Sequence, residues 1–162
     1  MASIKLVYGS ATAMTVTNLH SLASSATAGW QSAVVDNTSD LYLDALVQVV
    51  FDFANTAPAN SKAVFVYAYA GLETTYTNPA SGSEGAITLT DVTTTAQNLK
   101  LLGIVPYNTA DEVVESAVFS VAQAFGGVLP PKWGVVIANY TGAALAASGN
   151  TVKYTPVYAS VA

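Results

Sequence analysis

Between Asp44 and Phe53 the side chains alternate without a break. Ala45, Val47, Val49, Phe51 and Phe53 fall on one side, and Asp44, Leu46, Gln48, Val50 and Asp52 on the other. A helix would scatter these apolar groups around its circumference, whereas a strand sends every second residue to the same face. The pattern is that of a half-buried strand with one core side and one mixed side. Alternation returns over 62–70, where Val64, Val66 and Ala68 oppose Phe65, Tyr67 and Tyr69, and again over Trp133–Tyr140 and Thr151–Val161. The β-branched and aromatic residues filling these runs suit a pleated surface. The first two runs, separated by the turn-rich Ala54–Ser61, are expected to pair as antiparallel neighbours. Pro156 lacks a ladder donor and is expected to push the last strand to an edge or a bulge.

Turn residues mark the rest. Thr141-Gly142 and Ser148-Gly149-Asn150 bracket an expected short strand over Ala143–Ala147. Gly71–Gly85 reads as a long loop, Ile87–Thr90 as a short strand, Thr93–Asn98 as polar and Leu99–Val105 as an apolar run. Asp111–Phe125 carries two conflicting signals. Val113, Val114, Ala117, Val118, Val121, Ala122 and Phe125 recur at helical spacing, and Thr109 with Glu112 offers a capping box. Ser116–Val121 nevertheless has strand composition, and the expectation is a strand ending in a helical turn before Gly126-Gly127. About seven to nine short strands separated by turns predict an all-β chain, a single antiparallel β-sandwich of jelly-roll type. Residues 11–162 form that domain, and residues 1–10 an N-terminal arm or added strand.

Such a sandwich needs a polar exterior, and here composition becomes informative. The 162 residues are 52% apolar and carry ten acidic and five basic side chains, where about 40 charged residues would be ordinary. Ser, Thr, Asn and Gly must coat the surface, or other chains must cover part of it. All five cations are lysines, scattered singly, and arginine is absent. Nucleic-acid binding, which relies on clustered Lys and Arg, is therefore not expected. The longest apolar run, Ala63–Leu72, is far below the roughly 18 residues of a membrane span, and the first residues lack the core of a secretion signal.

Reactive chemistry finds little to work with. Cysteine is absent, so thiolate metal sites and cysteine nucleophiles are excluded. His20 is the lone histidine, and neither Ser10 nor Ser21 beside it sits in a nucleophile elbow. Asp44 and Asp52 share a strand face roughly 27 Å apart, too far to act as a carboxylate pair. Glu73 and Glu84 lie in the long loop, and Asp111, Glu112 and Glu115 at a solvated turn. Val35–Asp40, continuing to Asp44, is dense enough in oxygens for calcium but lacks the glycine and terminal glutamate of an EF-hand loop. No catalytic residue, cofactor site or metal site is assigned, and an enzyme is not expected.

The aromatic residues point instead to contact. Trp30, Trp133 and nine tyrosines supply the amphipathic side chains enriched at interfaces. Trp133 also suits a plug at the end of a core. The N-terminal segment, the Gly71–Gly85 loop and the Leu129–Trp133 turn are candidate contact regions, with Trp30, Tyr76, Pro79 and Trp133 as protein-interface residues. A competing expectation is a carbohydrate-binding or head/tail fibre module, which needs an exposed aromatic pair beside Asp or Asn.

Phe119–Val136, followed by Asn139-Tyr140-Thr141-Gly142 and preceded by Gly29-Trp30-Gln31-Ser32 and Val35-Asp36-Asn37-Thr38, resembles small virion proteins of tailed bacteriophages. The resemblance spans roughly Gly29–Ala162 and rests on turns and core strands. It implies a jelly-roll virion protein, either a decoration (cement) protein on the capsid exterior or a head-proximal fibre or tail component, assembled in the host cytoplasm. The implied partners are the major capsid protein and copies of itself, as a homo-oligomer of trimeric type.

Overall fold

The computed structural model describes residues 3–59, 63–92 and 98–161. Thr93–Asn98 and Lys62 of the sequence expectations fall wholly or partly outside them. The strands are β1 (Ile4–Tyr8), β2 (Thr12–Ala13), β3 (Ala28–Gln31), β4 (Val35–Asp36), β5 (Asp44–Asp52), β6 (Ala63–Gly71), β7 (Gly85–Thr88), β8 (Lys100–Pro106), β9 (Val113–Glu115), β10 (Phe119–Ser120), β11 (Lys132–Tyr140) and β12 (Thr151–Val161), with one helical turn, α1 (Val121–Ala124). They form an all-β, antiparallel sandwich. One sheet runs β1-β12-β5-β10, with β2 also on β12 and β9 also on β5; the other runs β7-β3-β11-β6-β8, with β4 on β11.

The alternation of β5 is realised residue by residue. Ala45, Val47, Val49 and Phe51, with Phe53 just beyond, are buried, and the intervening residues are half-exposed. They face Val64, Val66 and Ala68 of β6 and Trp133, Val135 and Ile137 of β11. Each such side chain stabilises the fold by about 1.5–3 kcal/mol on burial. The expected pairing of β5 with β6 is corrected: β5 pairs with β12, β9 and β10, and β6 with β11 and β8. Both apolar rows do enter one core, but from opposite sheets. Period two specifies which face a residue occupies and leaves its neighbour open.

The two outer faces differ. Tyr67 and Tyr69 of β6 and Val136 and Ala138 of β11 are buried beneath Ile87, Leu89, Val92 and Leu99, with Tyr76 and Ala80 packed alongside. The covering layer over the outer face of the second sheet is thus formed by 72–84 and 89–92, the segments flanking β7, which itself belongs to that sheet. It is pinned by hydrogen bonds from Tyr67 Oη to the Val92 carbonyl (2.6 Å) and from the Leu89 and Val92 amides to Thr27 and Ala26. Among the described residues nothing covers the first sheet in the same way.

Three further expectations are settled locally. The region 111–125 becomes β9, β10 and then α1, as the strand-to-turn expectation had it. Ser120 Oγ caps α1 by accepting from the Gln123 amide, and Asp44 accepts from the Ala122 amide and the Ser120 hydroxyl. Glu112 accepts from the Thr109 amide as a capping box would, but in a turn with no helix behind it. Ala143–Ala147 is not a strand. It makes one bridge, Leu145 with Phe53, where the Ala54 amide donates to the Ala144 carbonyl and the Ala146 amide to the Asp52 carbonyl. The Asn139 amide donates to the Ala143 carbonyl (2.8 Å) and the Asn150 amide to that of Ala146 (2.9 Å). Finally, β12 lies inside its sheet despite Pro156. The Pro156 carbonyl accepts from the Gly9 amide (2.8 Å), which places the donor-less nitrogen on the side where β1 has ended and β2 has not begun.

Candidate interaction surface

The four residues expected at a protein interface have separate fates. Trp30 and Trp133 are 0% and 1% exposed and belong to the inter-sheet core, so neither presents a surface in this fold. Both stand on strands buried at successive positions, β3 and β11. Tyr76 is half-buried, edge-on to Tyr69 at 5.8 Å, and Pro79 follows a cis peptide in the same covering segment. Tyr76 helps hold the covering layer in place.

Trp30 reaches a carboxylate from inside the core. Its Nε1 donates to Glu84 Oε1 (2.7 Å), and Asn18 adds its backbone amide (2.8 Å) and side-chain amide (2.6 Å) to the same carboxylate. Burial pushes the Glu84 carboxyl up, but these donors outweigh it and hold the group below its ordinary 4.5. The folded state therefore binds this proton less readily than the unfolded chain. Stability present above about pH 4.5 is lost as pH falls through the depressed folded value. Glu84→Gln is expected to shallow the acid limb of stability against pH, read by urea unfolding from about pH 6 to about pH 3; an unchanged slope would count against the carboxylate's role.

The remaining sequence candidates are not gathered into a reactive centre. His20 Nδ1 lies 3.2 Å from Asn150 Nδ2, beside an amide and not an acid. The calcium-like stretch is dispersed. Asp36 binds Thr38 through Oγ1 (2.6 Å) and N (2.9 Å) and meets Lys132 at 3.3 Å. Thr38's hydroxyl and amide, then Lys132, bring the Asp36 carboxyl down to about 2 against a smaller opposing effect of burial. Asp44 turns instead to α1. Among the described residues no three His, Asp or Glu side chains stand close enough to hold a metal ion.

What the fold does leave free is the outer face of the first sheet and its β1 edge. β5 pairing on β12 ends at Asp44 opposite Val157, while β1 continues opposite Val157–Val161. The ends of β1 and β12 therefore run on as a two-stranded ribbon. On its outer face Ile4, Leu6 and Tyr8 are 77%, 64% and 65% exposed, with exposed Val161 and Ala159 opposite. A groove of about 260 Å³ continues this face between Tyr8, Leu46, Val118 and Lys153. An exposed apolar strip of this kind marks an interaction site when it is contiguous. Sequence reading had named the N-terminal segment but not these side chains, although Ile4, Leu6 and Tyr8 alternate with Lys5 and Val7.

No family model, curated protein or solved structure matches the chain. Its function is argued from these surfaces.

Proposed function

We propose that this chain is a structural virion protein, a jelly-roll decoration protein that binds the outside of an assembled phage capsid at subunit junctions and stabilises the shell. One observation carries the proposal: the second sheet is roofed by the chain itself, whereas among the described residues the mixed outer face of the first sheet is left uncovered and its β1 edge exposes Ile4, Leu6 and Tyr8. A rigid sandwich with one finished and one unfinished side suits a part that is completed by neighbours. The dispersal of His20, Asp36, Asp44 and Glu84 into separate structural hydrogen bonds supports a role without catalysis.

The physical logic is linkage. A protein that binds the closed lattice and not its loose subunits stabilises the lattice, and many identical contacts around one shell act together. Quantitative mass spectrometry of purified particles of the encoding phage tests this. Copies on the order of the number of capsid subunits are expected. A handful per particle would indicate a tail or fibre position, and absence from the particle would overturn the proposal.

A further inference from the structure

We propose that β1 pairs antiparallel with β1 of a second copy, across a two-fold axis through Leu6, so that the first sheet runs continuously through both molecules. The inference rests on the reading of the open flank as a contact surface, but not on which shell, if any, the protein joins.

Backbone direction comes first. The Gly9 amide donates to Pro156, opposite it in the β1–β12 ladder, so Gly9 faces β12 and, with period two, Val7 and Lys5 do as well. The N–H and C=O groups of Ile4, Leu6 and Tyr8 then point outward, and no described strand receives them. Open edges of this kind recruit other strands unless they are short, bulged, charged or interrupted by proline. The other exposed edges carry such protection. β8 begins at Lys100, ends at Pro106 and is irregular opposite Val66/Tyr67; β7, β9 and β10 have four, three and two residues. Among the described edge strands of five or more residues, β1 bears a charge at Lys5 alone and carries neither proline nor bulge, whereas β8 has both.

Charge selects the partner and the register. The whole chain carries a net charge of −5, yet Lys5 is the sole charged side chain in residues 1–35, and 154–161 has none. The ribbon is therefore where two copies of an acidic protein approach with least repulsion. Pairing centred on Leu6 sets Ile4 opposite Tyr8 and Lys5 opposite Val7, and joins every outward N–H to a carbonyl. Centring on Lys5 would put the two ammonium groups face to face. The Leu6 register also merges the two exposed rows of Ile4, Leu6 and Tyr8 into one apolar face.

The chain has no cysteine, which makes the test direct. In the proposed dimer the two Leu6 Cα atoms form a hydrogen-bonded pair about 5.5 Å apart, within disulfide reach. Leu6→Cys under mild oxidation is expected to give a disulfide-linked dimer nearly quantitatively, whereas Leu72→Cys, 78% exposed on the covering segment, should not. Leu6→Pro removes an outward N–H and leaves the β12 ladder intact, so it should fold with unchanged near-UV spectrum while the dimer dissociation constant rises at least tenfold. A monomer at all concentrations, a trimer, a dimer indifferent to Leu6→Pro, or equal crosslinking at positions 6 and 72 would each overturn the inference. If any of these occurred while shells still bound the protein, only the pairing mode would fall.

Discussion

Trp30→Ala is expected to lower unfolding free energy by about 4 kcal/mol, the range of buried aromatic truncations. Trp30 is fully buried between the sheets, and β3 holds it opposite Ile137 of β11 and Ala86 of β7. Alanine leaves a large cavity beside strands whose hydrogen-bonded ladders limit collapse. It also removes the 2.7 Å donor to Glu84, leaving that carboxylate with Asn18 alone. Trp30→Phe separates the two effects by keeping most of the volume and losing the donor, for a loss of about 1.5–3 kcal/mol typical of a hydrogen bond to a charged group. Because domains of this size are stable by about 5–15 kcal/mol, the alanine variant should unfold at markedly lower urea concentration. Equal losses for alanine and phenylalanine would mean that the indole volume contributes little.

Gly134→Ala should cost about 3 kcal/mol, although glycine normally weakens a central strand. Gly134 sits directly opposite Tyr69 in the β11–β6 register, and a Cβ there would be driven into the Tyr69 ring and hydroxyl. The ring has no room to retreat. It is fully buried, its hydroxyl donates to the Ser32 carbonyl at 3.0 Å, and Tyr76 packs on it edge-on. Burial also pushes the hydroxyl far up, so it stays a donor throughout the pH range in which the fold persists. The added methyl must displace the ring and with it the covering segment. Tyr69→Leu should therefore absorb much of the damage, giving a favourable coupling energy of at least about 1 kcal/mol in a double-mutant cycle. Additive losses would show that the ring does not fill the space over Gly134.

Sequence pattern and structure agree where periodicity alone decides, as in the buried rows of β5 and in β11 and β12. They part where long-range choices enter. Alternation could not say that β5 and β6 belong to different sheets, since either pairing buries the same residues. Nor could it foresee that 72–84 and 89–92 would roof Tyr67 and Tyr69, making β6 and β11 buried on both faces. The expected strand over Ala143–Ala147 is a single bridge instead, and its Ala143 and Ala146 carbonyls accept from the side-chain amides of Asn139 and Asn150, whose reach across a turn leaves no periodic trace. Pro156 is tolerated because of a gap between two distant N-terminal strands. Trp133 suits core and contact alike by its sequence, whereas Trp30 reads as a contact; both are buried between the sheets. The exposed surface is legible as a shortage of charge and in the N-terminal segment as a contact region; the row Ile4, Leu6 and Tyr8 at the β1 edge needs the ladder.

Sedimentation velocity of the purified chain, alone over a wide concentration range and mixed with empty capsids of the kind the proposed role requires, bears most directly on whether its exterior is completed by companions. A species heavier than the 16.6 kDa chain that transfers saturably to the shells is the expected result. A single 16.6 kDa boundary at every concentration, unmoved by shells, would contradict it.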